Sequence, residues 1–198
     1  MTTGYLGLDI LPANMNLLRA DKEILLDVSR PQQTRLKKAL QRDNVDKRYS
    51  FVVIDNAPDL SMSVINALVA SDDVLIPVKV DKFAFDGMSQ IMEQIEETRE
   101  FNPGIRMAGA FVTMYAKNNV NAQGLEHLKE QANFPIFNTV IRKSVKVDES
   151  TFVGIPLMDY APRSTAAKDY EALVDEYLLN QIVTETITNE GESHDEKV

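Results

Sequence analysis

Residues 51–55 read Phe51-Val52-Val53-Ile54-Asp55, four apolar side chains in succession closed by a carboxylate. A run of this kind, rich in β-branched residues, offers no polar face to water. It predicts a strand buried on both faces, as in a parallel sheet covered by helices. Asp55 then falls at the C-terminal end of that strand, the edge at which open α/β sheets bind their ligands. A carboxylate placed there can hold Mg²⁺, largely through water, because Mg²⁺ gives up its hydration shell reluctantly. It can equally be a cap or turn residue, and these five residues alone do not separate the two roles.

Strand and helix signals alternate on both sides of this run. Leu8 to Leu11 is a short apolar run stopped by Pro12. Asn14 can cap a helix carrying Leu17, Leu18, Ile24 and Leu25. A second helix is expected with Pro31 in its first turn and Leu36 and Leu40 on one face. Ser61 to Ala70 predicts a short helix, and Val74 to Val78 a strand that carries Pro77 near its end. Met88, Ile91, Met92 and Ile95 recur at helical spacing in a helix from Phe85 to Phe101, stopped by Asn102-Pro103-Gly104. Met107–Met114 and Ile136–Ile141 read as strands, Asn121–Ala132 and Val145–Phe152 as helices, and Leu157–Tyr160 as a last short strand. Ser164 caps a final helix bearing Tyr170, Leu173, Val174 and Leu178. Strands separated by helices of this length build right-handed βαβ units, so the expected fold is α/β, a mainly parallel sheet flanked by helices. Residues 1–183 are expected to form one α/β domain. From 184 to 198 the chain is polar and acidic with no apolar face, which predicts a disordered tail.

Bulk composition narrows the chemistry. Among 198 residues there is no Cys, which excludes disulfides, iron–sulfur clusters and thiolate zinc sites. The two histidines, His127 and His194, are too few for a His-based metal site. No apolar run approaches the ~18 residues of a spanning helix, and Met1-Thr2-Thr3-Gly4 does not open a signal peptide, so a cytosolic protein is expected. The net charge is −9, of which the stretch from Gln181 to Val198 supplies −4 and the rest −5. That balance does not suit strong general DNA binding, though it leaves room for a basic patch on one face.

The segment Tyr49-Ser50-Phe51-Val52-Val53-Ile54-Asp55-Asn56-Ala57-Pro58-Asp59-Leu60 resembles the Walker B region of the ParA and Soj partition ATPases. Further blocks resemble that family in the same order along the chain: Gly7 to Asn14, Ile65 to Ala70, Asp73 to Val78, Phe83 to Gly87, Val112 to Tyr115, and Gly154 to Leu157. The resemblance runs from about Gly7 to Leu178. It departs at Ala57, where the family usually has a second Pro. A larger departure concerns the phosphate-binding loop, a Gly-rich stretch with a Lys at each end that cradles phosphates with backbone N–H groups. No Gly in these 198 residues is followed by Lys; Gly104 and Gly109 have the right spacing, but Ala110 and Phe111 follow them. The strand bearing the family's second catalytic Asp has no counterpart either.

The resemblance implies a P-loop-type fold lacking its phosphate-loop strand, and a plasmid or chromosome segregation function. It implies ATP and Mg²⁺ as the family's cofactors, with Asp55 as catalytic and metal-holding residue. On the residues present, this chain is expected to bind neither and to be inactive as an ATPase. Thr113, Met114, Ile141 and Arg142 match the region beside the adenine, with strand-end packing as the open alternative for Met114 and Tyr115. Lys143 and Lys146 match positions that are often basic in the family's DNA-binding face. Lys117 adjoins Asn118, where a family Arg is expected. Each such lysine can neutralise one phosphate, or can simply belong to a solvated face. The implied partners are a ParB-type centromere-binding protein, non-specific DNA and a second copy of the chain through the open sheet edge; a membrane is not among them. A truncated, non-enzymatic relative that binds a partner or DNA is the alternative. A MinD-type membrane protein would need a basic C-terminal helix where this chain is acidic.

Overall fold

The structure, a computed structural model, describes every residue except 1, 2, 58, 60, 82, 83 and 196–198; the side chains of 84–86 and 183–195 also lie outside the description. Of the Phe83–Gly87 block, residue 83 and the side chains of 84–86 fall on these positions; of the tail expected from residue 184, the side chains do, while its backbone to Asp195 is helical where disorder was expected. Along the chain come α1 (Asn16–Leu26), α2 (Arg35–Arg42), α3 (Val45–Arg48), α4 (Met62–Ala70), β1 (Asp73–Lys79) and α5 (Ala84–Thr98). Then follow β2 (Arg106–Thr113), α6 (Asn119–Gln131), α7 (Val145–Val153), α8 (Leu157–Tyr160) and α9 (Thr165–Asp195). The chain divides into two compact units, one of residues 1–72 with 93–105, the other of 73–92 with 106–198.

In the first unit, Asn14 is not the cap expected of it: Met15 holds the N-cap position of α1 without a side-chain cap, and Asn14 Oδ1 accepts from the Asn16 amide at 2.8 Å just before the helix. The second helix starts later than expected, at Arg35, and Pro31 stays outside it. Arg35 is the reason. Its guanidinium turns back to donate to Asp27 Oδ2 at 2.8 Å and to the Pro31 carbonyl at 3.1 Å, which fixes residues 27–31 as a turn. Residues Phe51–Asp55, expected as a buried strand, form none; Phe51 is 65% and Val53 91% exposed. A parallel strand must exchange backbone hydrogen bonds with a neighbour, and no described strand pairs with these residues. Their apolar pattern therefore has nothing to be buried against.

A buried amide holds α4 to the segment before α2. Asn66, 4% exposed, accepts from the Leu36 amide at 3.1 Å and donates to the Gln32 and Met62 carbonyls at 2.9 Å each. Asn102, also buried, donates to the Leu68 carbonyl at 3.3 Å. Short amide side chains thus satisfy backbone groups that no ladder reaches.

The second unit carries the sheet. β1 and β2 pair in parallel, from Asp73 opposite Arg106 to Lys79 opposite Thr113. The register slips by one residue after Val74, so that Leu75 faces Gly109. Gly109 has φ +152°, and a Cβ there would lie 2.6 Å from the Phe137 ring. The bulge and the close ring approach both require glycine. β1 has no other strand beside it among the described residues, and this edge position tolerates Pro77. Ile76, Val78, Met107, Ala110 and Val112 are buried.

The expected strand at Ile136–Ile141 is present only in part. Ala110 bridges Ile136 and Tyr115 bridges Arg142, both parallel, but the ladder breaks between them. The amides of Asn138 and Thr139 turn instead to the Glu176 carboxylate at 2.7 and 2.8 Å. Leu157–Tyr160, expected as a strand, is the helical turn α8: the Pro156 carbonyl accepts from Asp159 and Tyr160 at 3.0 and 2.9 Å. α9 opens as expected, with Ser164 Oγ accepting from Ala167 at 3.2 Å. It lays Leu173 against Phe137 and Ile141 in a cluster joined by Phe111, Tyr170 and Tyr177. The parallel sheet flanked by helices is therefore the fold of this chain.

Replacing Asn66 by Ala strips two carbonyls and one amide of their partner in a buried setting. Each group left unpaired costs about 1–3 kcal/mol. We expect Asn66→Ala to lower the urea midpoint with little change in slope, and a midpoint equal to that of the parent would refute this role.

Candidate functional site

The C-terminal end of β2 gathers most of the expected residues. Thr113 ends the strand, and Met114 follows with φ +54°, a left-handed conformation uncommon outside glycine. Met114 is 58% exposed, so its side chain projects from the edge; the packing alternative for Met114 does not hold. Its turn aligns the next residue: the Tyr115 amide donates to the Ile141 carbonyl at 3.0 Å, and the Lys143 amide to the Tyr115 carbonyl at 3.0 Å. Ile141 is buried, and Arg142 to Ser144 leave the sheet at its surface. Thr113, Met114, Ile141 and Arg142 therefore share one strand edge.

Arg142 is clamped. Its amide donates to Asp169 Oδ2 at 3.0 Å and its Nε to the same oxygen at 2.8 Å. Asp169 lies near the start of α9 and is 8% exposed. The Arg142 guanidinium, then its amide, hold the Asp169 carboxyl below the usual carboxylate range against the opposing effect of burial. Sequence reading did not single out Asp169. Its position on the buried side of α9, beside Tyr170 and Leu173, is a signal that a carboxylate there needs a cationic partner.

Two more carboxylates bind α9 to this unit. Burial acts to raise Glu176, and the Asn138 and Thr139 amides outweigh it, so it ends below its ordinary value. Asp73, first residue of β1, accepts from Arg106 Nε at 2.7 Å and Tyr177 Oη at 2.7 Å, and also from Gln181. Burial opposes ionisation of Asp73, and the bonds from Arg106 and Tyr177 overcome it. The Tyr177 hydroxyl is pushed up to about 12, by burial first and by the Asp73 charge second.

The basic residues differ in availability. Ser144 caps α7 by accepting from the Lys146 amide at 3.3 Å. Lys146 Nζ donates to Glu149 Oε2 at 2.7 Å, and the Tyr160 hydroxyl donates to that same oxygen at 2.8 Å. The ammonium also lies 5.9 Å from the Tyr160 ring centroid. Gly154, at φ +68°, ends α7 in a left-handed cap and lets the chain turn to α8. Lys143 and Lys117 are exposed, and neither has an ion pair among the described residues.

Asp55 belongs to the first unit. It is exposed and sits in an irregular segment, where Asn56 Nδ2 donates to the Ile54 carbonyl at 3.1 Å. No group of three or more His, Cys, Asp or Glu side chains that could hold a metal occurs among the described residues. One exposed carboxylate fits a largely hydrated Mg²⁺. The residues present do not fit a triphosphate, for want of a Gly- and Lys-rich cradle.

A sequence family described as an AAA domain matches residues 2–107. The sporulation initiation inhibitor protein Soj of Bacillus subtilis is 34% identical over 176 residues, 88% of this chain and 68% of that protein. The chain belongs to the ParA/Soj family. The chromosome partitioning protein ParA of Caulobacter vibrioides is 30% identical over 88% of this chain and 66% of its own length. Cobyrinic acid a,c-diamide synthase of Mycobacterium smegmatis superposes with a TM-score of 0.68 at 24% identity, over 83% of this chain and 60% of that one. A structure of that synthase with bound ATP analog and magnesium superposes with a TM-score of 0.61 at 26% identity, over 68% and 55%. The chain thus spans about two thirds of the length of these ParA/Soj relatives. No helix among the described residues is long and apolar enough to cross a membrane.

The lowered carboxyls of α9's anchors set a pH dependence. A folded pKa below the unfolded value contributes stability that is present above about pH 4 and lost as pH falls through the folded value. We expect the amides of Asn138, Thr139 and Arg142 to lose hydrogen-exchange protection below pH 4. Undiminished protection factors from pH 6 down to 2.5 would show that Glu176 and Asp169 do not hold them.

Proposed function

We propose that this chain serves plasmid or chromosome segregation as a ParA-type partition ATPase, of which these residues carry the Walker B segment and the part that follows it. The observation that carries this reading is the multi-block likeness to Soj and ParA over 88% of the chain. In this reading Asp55 is the position that would hold Mg²⁺ in a complete site, and the edge formed by Thr113, Met114, Ile141 and Arg142 is the one that would face the base of a nucleotide there. ATP with Mg²⁺ supplies phosphoryl-transfer chemistry when held by a complete site; catalysis of that kind rests on positioning and charge neutralisation of the phosphates. The residues of this chain contain no phosphate cradle, so we assign it no hydrolytic step and no bound nucleotide of its own. Its partners are a ParB-type centromere-binding protein and DNA, the latter met weakly and without sequence preference through Lys117, Lys143 and Lys146. It works in the cytoplasm, at the nucleoid.

The purified 198-residue chain is expected to show no ATP hydrolysis above background. Mg²⁺-dependent turnover that Asp55→Ala abolishes would overturn the assignment of this chain as inactive by itself.

Self-association belongs to the same reading. Phe51, Val52 and Val53 expose apolar side chains, and no described strand pairs with this segment. An unpaired apolar segment is a template for strand pairing with a second copy. Sedimentation at micromolar concentration should report a species heavier than one chain, and Val53→Lys should return it to the monomer. A monomer for the parent chain would remove this partner.

A further inference from the structure

Four cations lie on or next to the stretch from Arg142 to Lys146 and the turn after β2, yet only two of them are open to a ligand. Arg142 is bound to Asp169, and Lys146 to Glu149. Lys143 and Lys117 carry no carboxylate partner among the described residues. The two occupied pairs differ in kind. Asp169 is buried and fastens the loop to α9, so its bond is part of the fold. Glu149 sits one helical turn after Lys146 on α7, its side chain 36% exposed and that of Lys146 51% exposed. Such a pair is loose in water. What makes this one more than a passing contact is Tyr160, whose hydroxyl fixes the same carboxylate oxygen that Lys146 meets and whose ring flanks the ammonium.

We propose that Glu149, held in place by Tyr160, is an internal competitor for Lys146 that keeps the affinity of this surface for polyanions low. The inference rests on the DNA reading of this face. A phosphate that approaches Lys146 must displace the Glu149 carboxylate from it or accept the repulsion of an adjacent negative charge. With Glu149 in place Lys143 and Lys117 meet phosphate directly and Lys146 only by exchanging its carboxylate partner; without Glu149, Lys146 becomes a full phosphate contact. The arrangement makes binding weak and readily reversed, and it acts through one carboxylate rather than through the net charge of the chain. Carboxylate and phosphate compete for the same ammonium donors, so the competitor has the chemistry of the ligand it excludes.

The effect has a signature that a general charge change lacks. Each phosphate neutralised on duplex DNA adds about 0.9 to the slope of log affinity against log salt. The test uses a random-sequence duplex, fluorescence anisotropy and a salt series from about 25 to about 200 mM. Glu149→Gln is expected to bind several-fold tighter at low salt, on the order of 3–10 times, with the slope steeper by about 0.9. Tyr160→Phe should move affinity in the same direction and by less, because it frees the carboxylate without removing it. Lys146→Ala combined with Glu149→Gln should abolish the gain. A Glu149→Gln affinity and slope equal to those of the parent overturn the proposal; if Lys143→Ala still weakens the parent, the DNA reading survives that result. A gain that persists in the double variant also overturns it, since the change would then be one of overall charge. Absence of binding by both the parent and Glu149→Gln at the lowest salt overturns the proposal and the DNA reading together.

Discussion

Asp73 accepts hydrogen bonds from Arg106, Tyr177 and Gln181, and so ties the first residues of both paired strands to the last helix. A two-stranded parallel sheet is a weak object by itself, since it has few ladder bonds and two open faces. It persists here because α9 is fixed to it at several points between Asp169 and Gln181. Asp169 meets the loop after Ile141, Glu176 the amides of Asn138 and Thr139, and Tyr177 the start of β1. Leu173 fills the space between these polar anchors with apolar contact to Phe137 and Ile141. The geometry of the candidate edge follows from this helix, because the loop that carries Arg142 to Lys146 has Asp169 for its support.

The same economy of partners explains the basic surface. In a chain of net charge −9, carboxylates outnumber cations and compete with any anionic ligand for them. Arg142 and Lys146 each take one, and Lys143 and Lys117 take none among the described residues. What a basic stretch can bind therefore depends less on how many cations it has than on which are already engaged. A pair whose carboxylate is buried, such as Arg142 with Asp169, is committed to the fold, whereas a pair exposed on both sides, such as Lys146 with Glu149, can exchange partners.

Family membership and chemistry part company at Asp55. The likeness to Soj extends over most of the chain and includes the apolar run before this Asp. Yet a carboxylate acquires its role from its surroundings, and those described around Asp55 are solvent and one asparagine contact to a neighbouring carbonyl. Mg²⁺ retained by a single carboxylate has no phosphate to bridge unless other residues deliver one. The candidate edge on β2 is better defined, since backbone bonds and Asp169 settle its shape.

Local signals sufficed where an element's pattern and its neighbours agree. α4, β1, α5, β2, α6, α7 and the start of α9 were legible within a few residues, because each has a helical or strand period, a capping residue or a stop of its own. The edge built from Thr113, Met114, Ile141 and Arg142 was legible through family likeness, while the left-handed turn at Met114 was not. Only the tertiary structure decided the elements that need a partner. Phe51 to Ile54 has the composition of a buried strand but no strand to pair with among the described residues, and composition cannot supply backbone hydrogen bonds. Ile136–Ile141 loses its middle to Glu176, a residue far along the chain whose carboxylate outbids the ladder for two amides. Leu157–Tyr160 had no neighbouring strand and closed into a helical turn on Pro156. Asp169 and Glu149 were invisible to sequence reading for the same reason: a carboxylate's role is set by the donor it meets in space, and that donor is chosen by the fold.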